Sequence, residues 1–397
     1  MKRRFRVLSV FGLSLLMLLL TLALVAGGAS AAPAVPQAAC LVDGGGGGDY
    51  LTLAGALADP NCNPINVAAG TYYENVTIDR DVVIAGAGAA STILDGNGSI
   101  TNQRVMTVTV DQEVSISGLT IQNGVAITPS HGGGGIMTRG YLTLTSVILT
   151  SNAASGDDSS KDVGGAISPG GYGNRRLSME NCIVSHNSAQ RGGGIFYNGT
   201  LIMSNTLVYS NTAVSGGGLT NYGEASLWNV TFSSNAASLN GAAISNSEDA
   251  TLINCTVAEN AASYALRNTG TITFANTLLA RNANANCGQD VVSLGNNLED
   301  ADDCALSQST DITNTLPLLG PLKDNGGFSW THAITSASPA TDAGNNAVCP
   351  ATDQRGRTRP ALGKAGGGVT CDIGAYEYQL LDHLPDKVYL PLVLRGF

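Results

Sequence analysis

Between Gly133 and Asn282 one unit recurs six times, and this periodicity constrains the fold more than anything else in the chain. A small-residue triplet before Ile or Leu opens a copy and an Asn closes it, at Asn152, Asn187, Asn211, Asn235, Asn260 and Asn282, with spacings of 35, 24, 24, 25 and 22. Eight residues before each closing Asn stand Leu144, Met179, Met203, Leu227, Leu252 and Phe274; three before stand Leu149, Val184, Val208, Phe232, Val257 and Leu279. A further apolar column runs through Ile136, Ile167, Ile195, Leu219, Ile244 and Leu266, with four extra residues looping out after Ile167. A segment of short strands cannot bury its apolar face alone, whereas stacked copies bury Leu on Leu and Val on Val. The expectation is an all-β, single-stranded right-handed parallel β-helix with coils ~4.8 Å apart. A polar column, Asn181, Asn205, Asn229, Asn254 and Asn276, falls six before the closing Asn. It is expected at the bends, linked side-chain amide to side-chain amide.

Gly192-Gly193-Gly194-Ile195 with Tyr209-Ser210-Asn211, and Gly216-Gly217-Gly218-Leu219 with Phe232-Ser233-Ser234-Asn235, resemble two things: the right-handed β-helices of the pectin-lyase-like superfamily and the GGAI…FxxN repeats of polymorphic outer-membrane proteins. These motifs specify a fold rather than an activity. Gly70-Thr71-Tyr72 with Glu74 and Val76 is similar to the first coils of pectin methylesterases. The esterase Q-D-T motif is missing, since Gln289-Asp290 is followed by Val291, and no pectate-lyase or polygalacturonase motif is present. No catalytic residue is therefore carried over.

Within the 397 residues, 50 are Gly and only 13% are charged, as suits a long solenoid with tight corners. Residues 1–31 combine four basic residues, an apolar run and Ala29-Ser30-Ala31, the pattern of an export signal. Its removal takes four positive charges and no negative one, so the net charge goes from −10 to −14. Such acidity argues against a nucleic-acid partner. Residues 32–48 read as a flexible lead-in. Residues 49–292 read as the β-helix, whose first stretch, 49–58, has the helical spacing of an amino-terminal cap.

Eight cysteines in an exported chain favour disulfides. Cys40 with Cys62, Cys287 with Cys304 and Cys349 with Cys371 are the sequence-near pairs, although sequence alone leaves the connectivity open. Cys182 and Cys255 share a column three coils, ~14 Å, apart. That is beyond disulfide reach, so both are expected as free, buried thiols.

Two insertions flank the second coil and carry Asp157, Asp158 and Asp162, then Arg175 and Arg176. In solenoids such loops often project from the binding face. If the chain is an enzyme, these five residues are the candidates for a polysaccharide lyase site, with Ca2+ as the cofactor carboxylates of this kind would hold. The bland reading, solvated charge on loops, outweighs it.

From Ser293 the texture changes. Ser338-Pro339-Ala340-Thr341-Asp342-Ala343-Gly344, Asp353-Gln354-Arg355-Gly356 and Cys371-Asp372-Ile373-Gly374-Ala375-Tyr376-Glu377 follow in order. Residues 293–378 closely resemble the choice-of-anchor Q region of bacterial exported β-helix proteins, with Thr341 where that family usually has Ile. The resemblance implies export, a β-helix and a cell-surface attachment signal, and no established catalysis. His332 with Asp342 or Asp353 reads as part of a disulfide-clamped cap rather than an acid–base pair. Residues 379–397, an apolar tail ending near Arg395, read as a sorting signal or an edge strand.

Together these features point to an exported, cell-surface, non-catalytic protein of adhesion or polysaccharide contact. A polysaccharide lyase and a purely structural envelope component are the rivals. The partner implied is a polysaccharide or cell-envelope glycan, with membrane contact only through the leader or the carboxy-terminal anchor. Nothing in the pattern sets an oligomeric state.

Overall fold

A computed structural model describes residues 38–127, 132–155, 162–171 and 175–380. The leader, most of the apolar tail, Asp157 and Asp158 lie outside the described residues. The three apolar columns become three stacked, parallel sheets. In the first, Leu144, Met179, Met203, Leu227, Leu252 and Phe274 pair in register from coil to coil. Leu149, Val184, Val208, Phe232, Val257 and Leu279 do so in the second. Ile136, Ile167, Ile195, Leu219, Ile244 and Leu266 do so in the third. All are buried and meet in one continuous core. Among the described residues these sheets hold eleven, ten and nine strands, and a fourth, five-stranded sheet lies between the second and the third in the middle coils. Side chains alternate in and out, and in the first sheet a second inward column, Leu142, Leu177, Leu201, Ala225, Ala250 and Ile272, helps to fill the tube.

Amide pairing is continuous in a different column from the one expected. Asn152, Asn187, Asn211, Asn235, Asn260 and Asn282 form an unbroken ladder in which each Nδ2 donates to the next Oδ1 at 2.9–3.1 Å. The same Oδ1 also accepts the preceding backbone N–H. In the column six residues earlier only two such links form, Asn229 to Asn205 and Asn276 to Asn254, both 3.1 Å. The reason is backbone conformation. Asn181, Asn205, Asn229, Asn254 and Asn276 all have φ near +50°, the left-handed corner between the first and second sheets that Asn tolerates best. From there Asn229, Asn254 and Asn276 donate outward to the carbonyls of Thr352, Asp372 and Asn345.

The Gly triplets are geometric. The first residue has positive φ, as at Gly216 (+68°), and an added Cβ on Gly218 would meet the Ala243 carbonyl at 2.7 Å.

A six-residue helix, Leu53–Ala58, closes the first coil, burying Leu53, Ala56 and Leu57. Thr52 caps it through the Gly55 N–H, and the Glu74 carboxylate accepts the N–H groups of Leu53 and Ala54. At the far end the Cys287–Cys304 disulfide clamps a loop whose Cys304 and Leu306 pack on the core. Cys40–Cys62 and Cys349–Cys371 are the other pairs. The segment beyond that cap does not continue over the end. It folds back along the flank, on the outer face of the second sheet, where Leu278, Ala280 and Leu298 pack against Ile334, Ala340, Ile373, Tyr376 and Tyr378.

Under the end cap, Glu299 is fully buried. One carboxylate oxygen accepts the Cys304 N–H at 3.3 Å, and the other has no partner. Burial, reinforced by the charge of Asp303, pushes its pKa from 4.5 up to about 7. The folded chain therefore keeps a proton that the unfolded chain releases. The contribution of this group to stability is greatest below pH 4.5, falls as pH rises to about 7 and is level beyond. Allowing for solvent screening, the loss is on the order of 2 kcal/mol. Urea unfolding should find Glu299→Gln more stable than the parent at pH 8 by that amount and level with it at pH 4; an equal gap at both values contradicts this.

Cys182 and Cys255 are unpaired and buried, and burial pushes both thiols up to about 12. Each is held to nearby carbonyls, Glu180 and Leu144 for the first, Leu227 and Ile253 for the second. A thiol reagent at pH 8 should label neither residue in the native protein and both after denaturation. Native labelling at the denatured rate would place them outside the core.

Candidate functional site

The flank segment divides the outer face of the second sheet in two. From Thr231 onward that face is covered: Thr231 donates to Gln354 Oε1 at 2.5 Å, Ser233 pairs with His332 Nε2 at 2.9 Å, and the Ala375 N–H donates to Thr256 Oγ1 at 2.9 Å. Burial lowers the His332 pKa, and its Nδ1 is engaged with the Gly320 carbonyl at 2.9 Å. Because the Gly320 carbonyl can only accept, Nδ1 is the donor there, and in a neutral imidazole Nε2 accepts a hydrogen bond from the Ser233 hydroxyl. Both residues are buried, so this pair is a docking contact rather than a nucleophile and its base. Neither Asp342 nor Asp353 reaches His332. Asp342 accepts the Gly363 N–H, and Asp353 is bound by Arg355 at 2.7 Å and by backbone N–H groups.

The other half of the face is not covered by that segment, although Asp95 and Ser185 within it are buried. One outward residue per coil lies in register: Tyr73, Asp95, Gln122, Thr150, Ser185 and Tyr209. At ~4.8 Å per coil this stripe runs roughly 24 Å. Its two ends are aromatic. Tyr73 is 70% exposed at one end. At the other, His186 meets Tyr209 edge-on at 5.2 Å and Tyr209 lies 6.1 Å from Trp330, which the flank segment contributes and which is 46% exposed. Between them the floor is amide and hydroxyl, including a Ser185 to Thr150 hydrogen bond of 3.1 Å.

Beside Tyr73 the face deepens into a cleft of about 390 Å3, lined chiefly by Tyr73, Asp95, Asn97, Ser99, Asn123 and Ser151. Local sequence builds it. The strand Thr92–Asp95 ends at Asp95, Asn97 takes the left-handed conformation, and the short helix Gly98–Thr101 stands as a wall. Asp95 is nearly buried. Its Oδ1 accepts the Asn97 N–H, and its Oδ2 accepts the amides of Gln122 and Asn123, all at 2.8 Å. It is the one carboxylate among the residues lining the cleft, and none of them is basic.

Of the residues proposed from the loops, the described ones, Asp162, Arg175 and Arg176, are not brought together. Asp162 is buried, and its carbonyl accepts the N–H groups of Gln190 and Arg191. Arg175 is spent on the carbonyls of Arg139 and Gly171, at 2.9 and 2.7 Å. The two lie at opposite ends of the strand Ile167–Pro169, while Arg176 is exposed on the first sheet, in a shallow cleft with Glu113 and Tyr141. Among the described residues the one group at metal-ligand spacing is Cys287, Asp303 and Cys304, whose thiols form a disulfide.

Tyr73, Asp95 and Gln122 are invisible to repeat analysis because they precede the regular coils. A single signal was legible there: the Ile121-Gln122-Asn123 closure lies one residue out of register. Asn123 takes the left-handed corner (φ 56°), and Gly124 occupies the ladder slot, its N–H donating to Asn152.

No family model matches the chain, and no curated protein does. Solved structures similar to it include pectate lyase Pel9A, at 14% identity with a TM-score of 0.49 over 83% of this chain and 92% of that one. Pectin methylesterase PemA from Erwinia chrysanthemi is similar at 14% identity and a TM-score of 0.38, over 60% and 81%. Carrot pectin methylesterase is similar at 14% and 0.36, over 65% and 85%. At this identity the likeness concerns the β-helix alone.

Proposed function

We propose that the protein is an exported, cell-surface glycan-contact protein that holds a polysaccharide along the open half of the second sheet's outer face without cleaving it. The observation that carries this is the in-register stripe from Tyr73 to Tyr209, aromatic at both ends and lined by hydrogen-bonding side chains between them. Aromatic rings offer apolar faces to the C–H faces of sugar rings, and the amides and hydroxyls of the floor match sugar hydroxyls. A stripe straight along the solenoid axis suits an extended polymer. The leader-like residues 1–31 support export, and the carboxy-terminal resemblance to choice-of-anchor Q regions supports surface attachment. The flank segment that bears this resemblance also supplies Trp330 to the face.

The test is to incubate the purified protein with neutral, cationic and acidic polysaccharides, with and without Ca2+, measuring both retention and newly formed chain ends. Retention without new ends, abolished by Tyr73→Ala, is expected. Release of reducing or unsaturated ends would replace this reading with a polysaccharide-active enzyme, and no retention of any polymer would leave a purely structural envelope role.

A further inference from the structure

The charge on the floor of the cleft carries the reading one step further, to the class of sugar, and this step rests on the proposed glycan face. We propose that the face selects polymers bearing a positively charged amino sugar over those bearing uronate, and that Asp95 is the residue that sets this preference. Three facts support it. Asp95 lies at the bottom of the cleft beside the exposed ring of Tyr73, where a sugar stacked on that ring would place a ring substituent.

The three groups that donate to its carboxylate, the Asn97 N–H and the side-chain amides of Gln122 and Asn123, are all neutral, so its charge is not cancelled within the site. A carboxylate offers about four acceptor positions, and these donors fill three, which leaves one for a ligand N–H. Finally, no basic side chain lines the cleft that would receive a sugar carboxylate. In a partly closed site a unit charge acts through a lower effective dielectric than in water, so attraction for an ammonium and repulsion of a carboxylate are both strengthened. The chain as a whole, at −10, adds a field of the same sign, although ordinary salt screens it beyond about 10 Å.

Three oligomers of equal length separate the possibilities: a glucosamine hexamer (cationic), its fully N-acetylated form (neutral) and a galacturonate hexamer (anionic). They are titrated calorimetrically at pH 6 and 0.1 M salt into the purified protein and into Asp95→Asn, Asp249→Asn and Tyr73→Ala. Asp249 is exposed at the start of a first-sheet strand, so its substitution removes the same charge away from the cleft. The expected order is cationic, then neutral, then anionic, with about tenfold between the first and the last. Asp95→Asn should collapse that ratio to near one, Asp249→Asn should preserve it, and Tyr73→Ala should weaken all three ligands together. Equal binding of galacturonate and glucosamine, or an order unchanged in Asp95→Asn, overturns the charge selection and leaves the face intact. Failure of all three ligands to bind overturns the face itself. If Asp95→Asn does not fold, the charge series on the parent protein and on Asp249→Asn still decides, because loss of the cationic preference in Asp249→Asn would show that only overall charge is at work.

Discussion

Asn211→Leu should lower the stability of the β-helix by on the order of 3–5 kcal/mol, although the side chain it introduces is apolar, similar in size and destined for a buried position. Asn211 works in both directions. Its Oδ1 accepts the backbone N–H and the side-chain amide of Asn187, at 3.1 and 2.9 Å, and its own amide reaches Val184 O, Tyr209 O and Asn235 Oδ1. Leucine leaves two donors on Asn187 stranded where water does not reach, each costing about 1–3 kcal/mol, and removes one of the two donors to Asn235 Oδ1, the backbone N–H remaining. The ladder's end offers the internal comparison. Asn282 is half-buried, so Asn282→Leu should cost distinctly less. Urea denaturation of both variants measures the gradient; equal costs would mean that the amides are not acting as a cooperative column.

Arg359→Met should release the flank segment while leaving the coils folded, at a cost of about 3–5 kcal/mol for the docked state. Arg359 is fully buried, donates to Asp372 O and Gly374 O at 3.2 and 2.8 Å, and lies 3.6 Å from the Glu377 carboxylate. Burial pushes Asp372 up to about 8, with the Glu377 charge adding to it, and burial raises Glu377 as well. Two carboxyl groups thus face one guanidinium, and the cation is what makes their burial tolerable.

Methionine leaves them unpaired. The carboxyl groups then stay protonated or the segment lifts from the face. Hydrogen exchange should show faster opening between Ser329 and Tyr378, and unchanged protection of strands such as Leu207–Tyr209. Because folded-state carboxyl values raised by burial weaken docking as pH rises, the difference from the parent should widen from pH 5 to pH 8. Uniform acceleration across the coils, or none anywhere, would contradict this account. The run of Asp353, Arg355, Arg359, Asp372 and Glu377 then describes a glue. Asp353 binds Arg355, whose guanidinium also stacks 3.6 Å over the Tyr376 ring, and it accepts the Glu377 N–H.

Periodicity fixed the architecture. Leu227 lies between Met203 and Leu252 because a solenoid repeats its local geometry, so a column in the sequence is a column in space. The helical spacing of residues 49–58 marked the cap, which forms over Leu53–Ala58, for the same reason: which face is apolar is a local property. What the sequence could not supply was the choice among chemically equal residues. Two Asn columns look alike in a list, yet one runs through the interior as a ladder while the other is drawn to left-handed corners and turned outward, a difference decided by the backbone path between sheets.

The loop acids and arginines looked like a site because charge on an insertion is conspicuous, but Asp162 is buried and Arg175 is spent on backbone carbonyls. The candidate face, by contrast, is bounded by residues more than a hundred positions downstream, Gln354 among them, which fold back to cover the other half of the sheet. Burial of that kind belongs to long-range packing and leaves no local periodic mark.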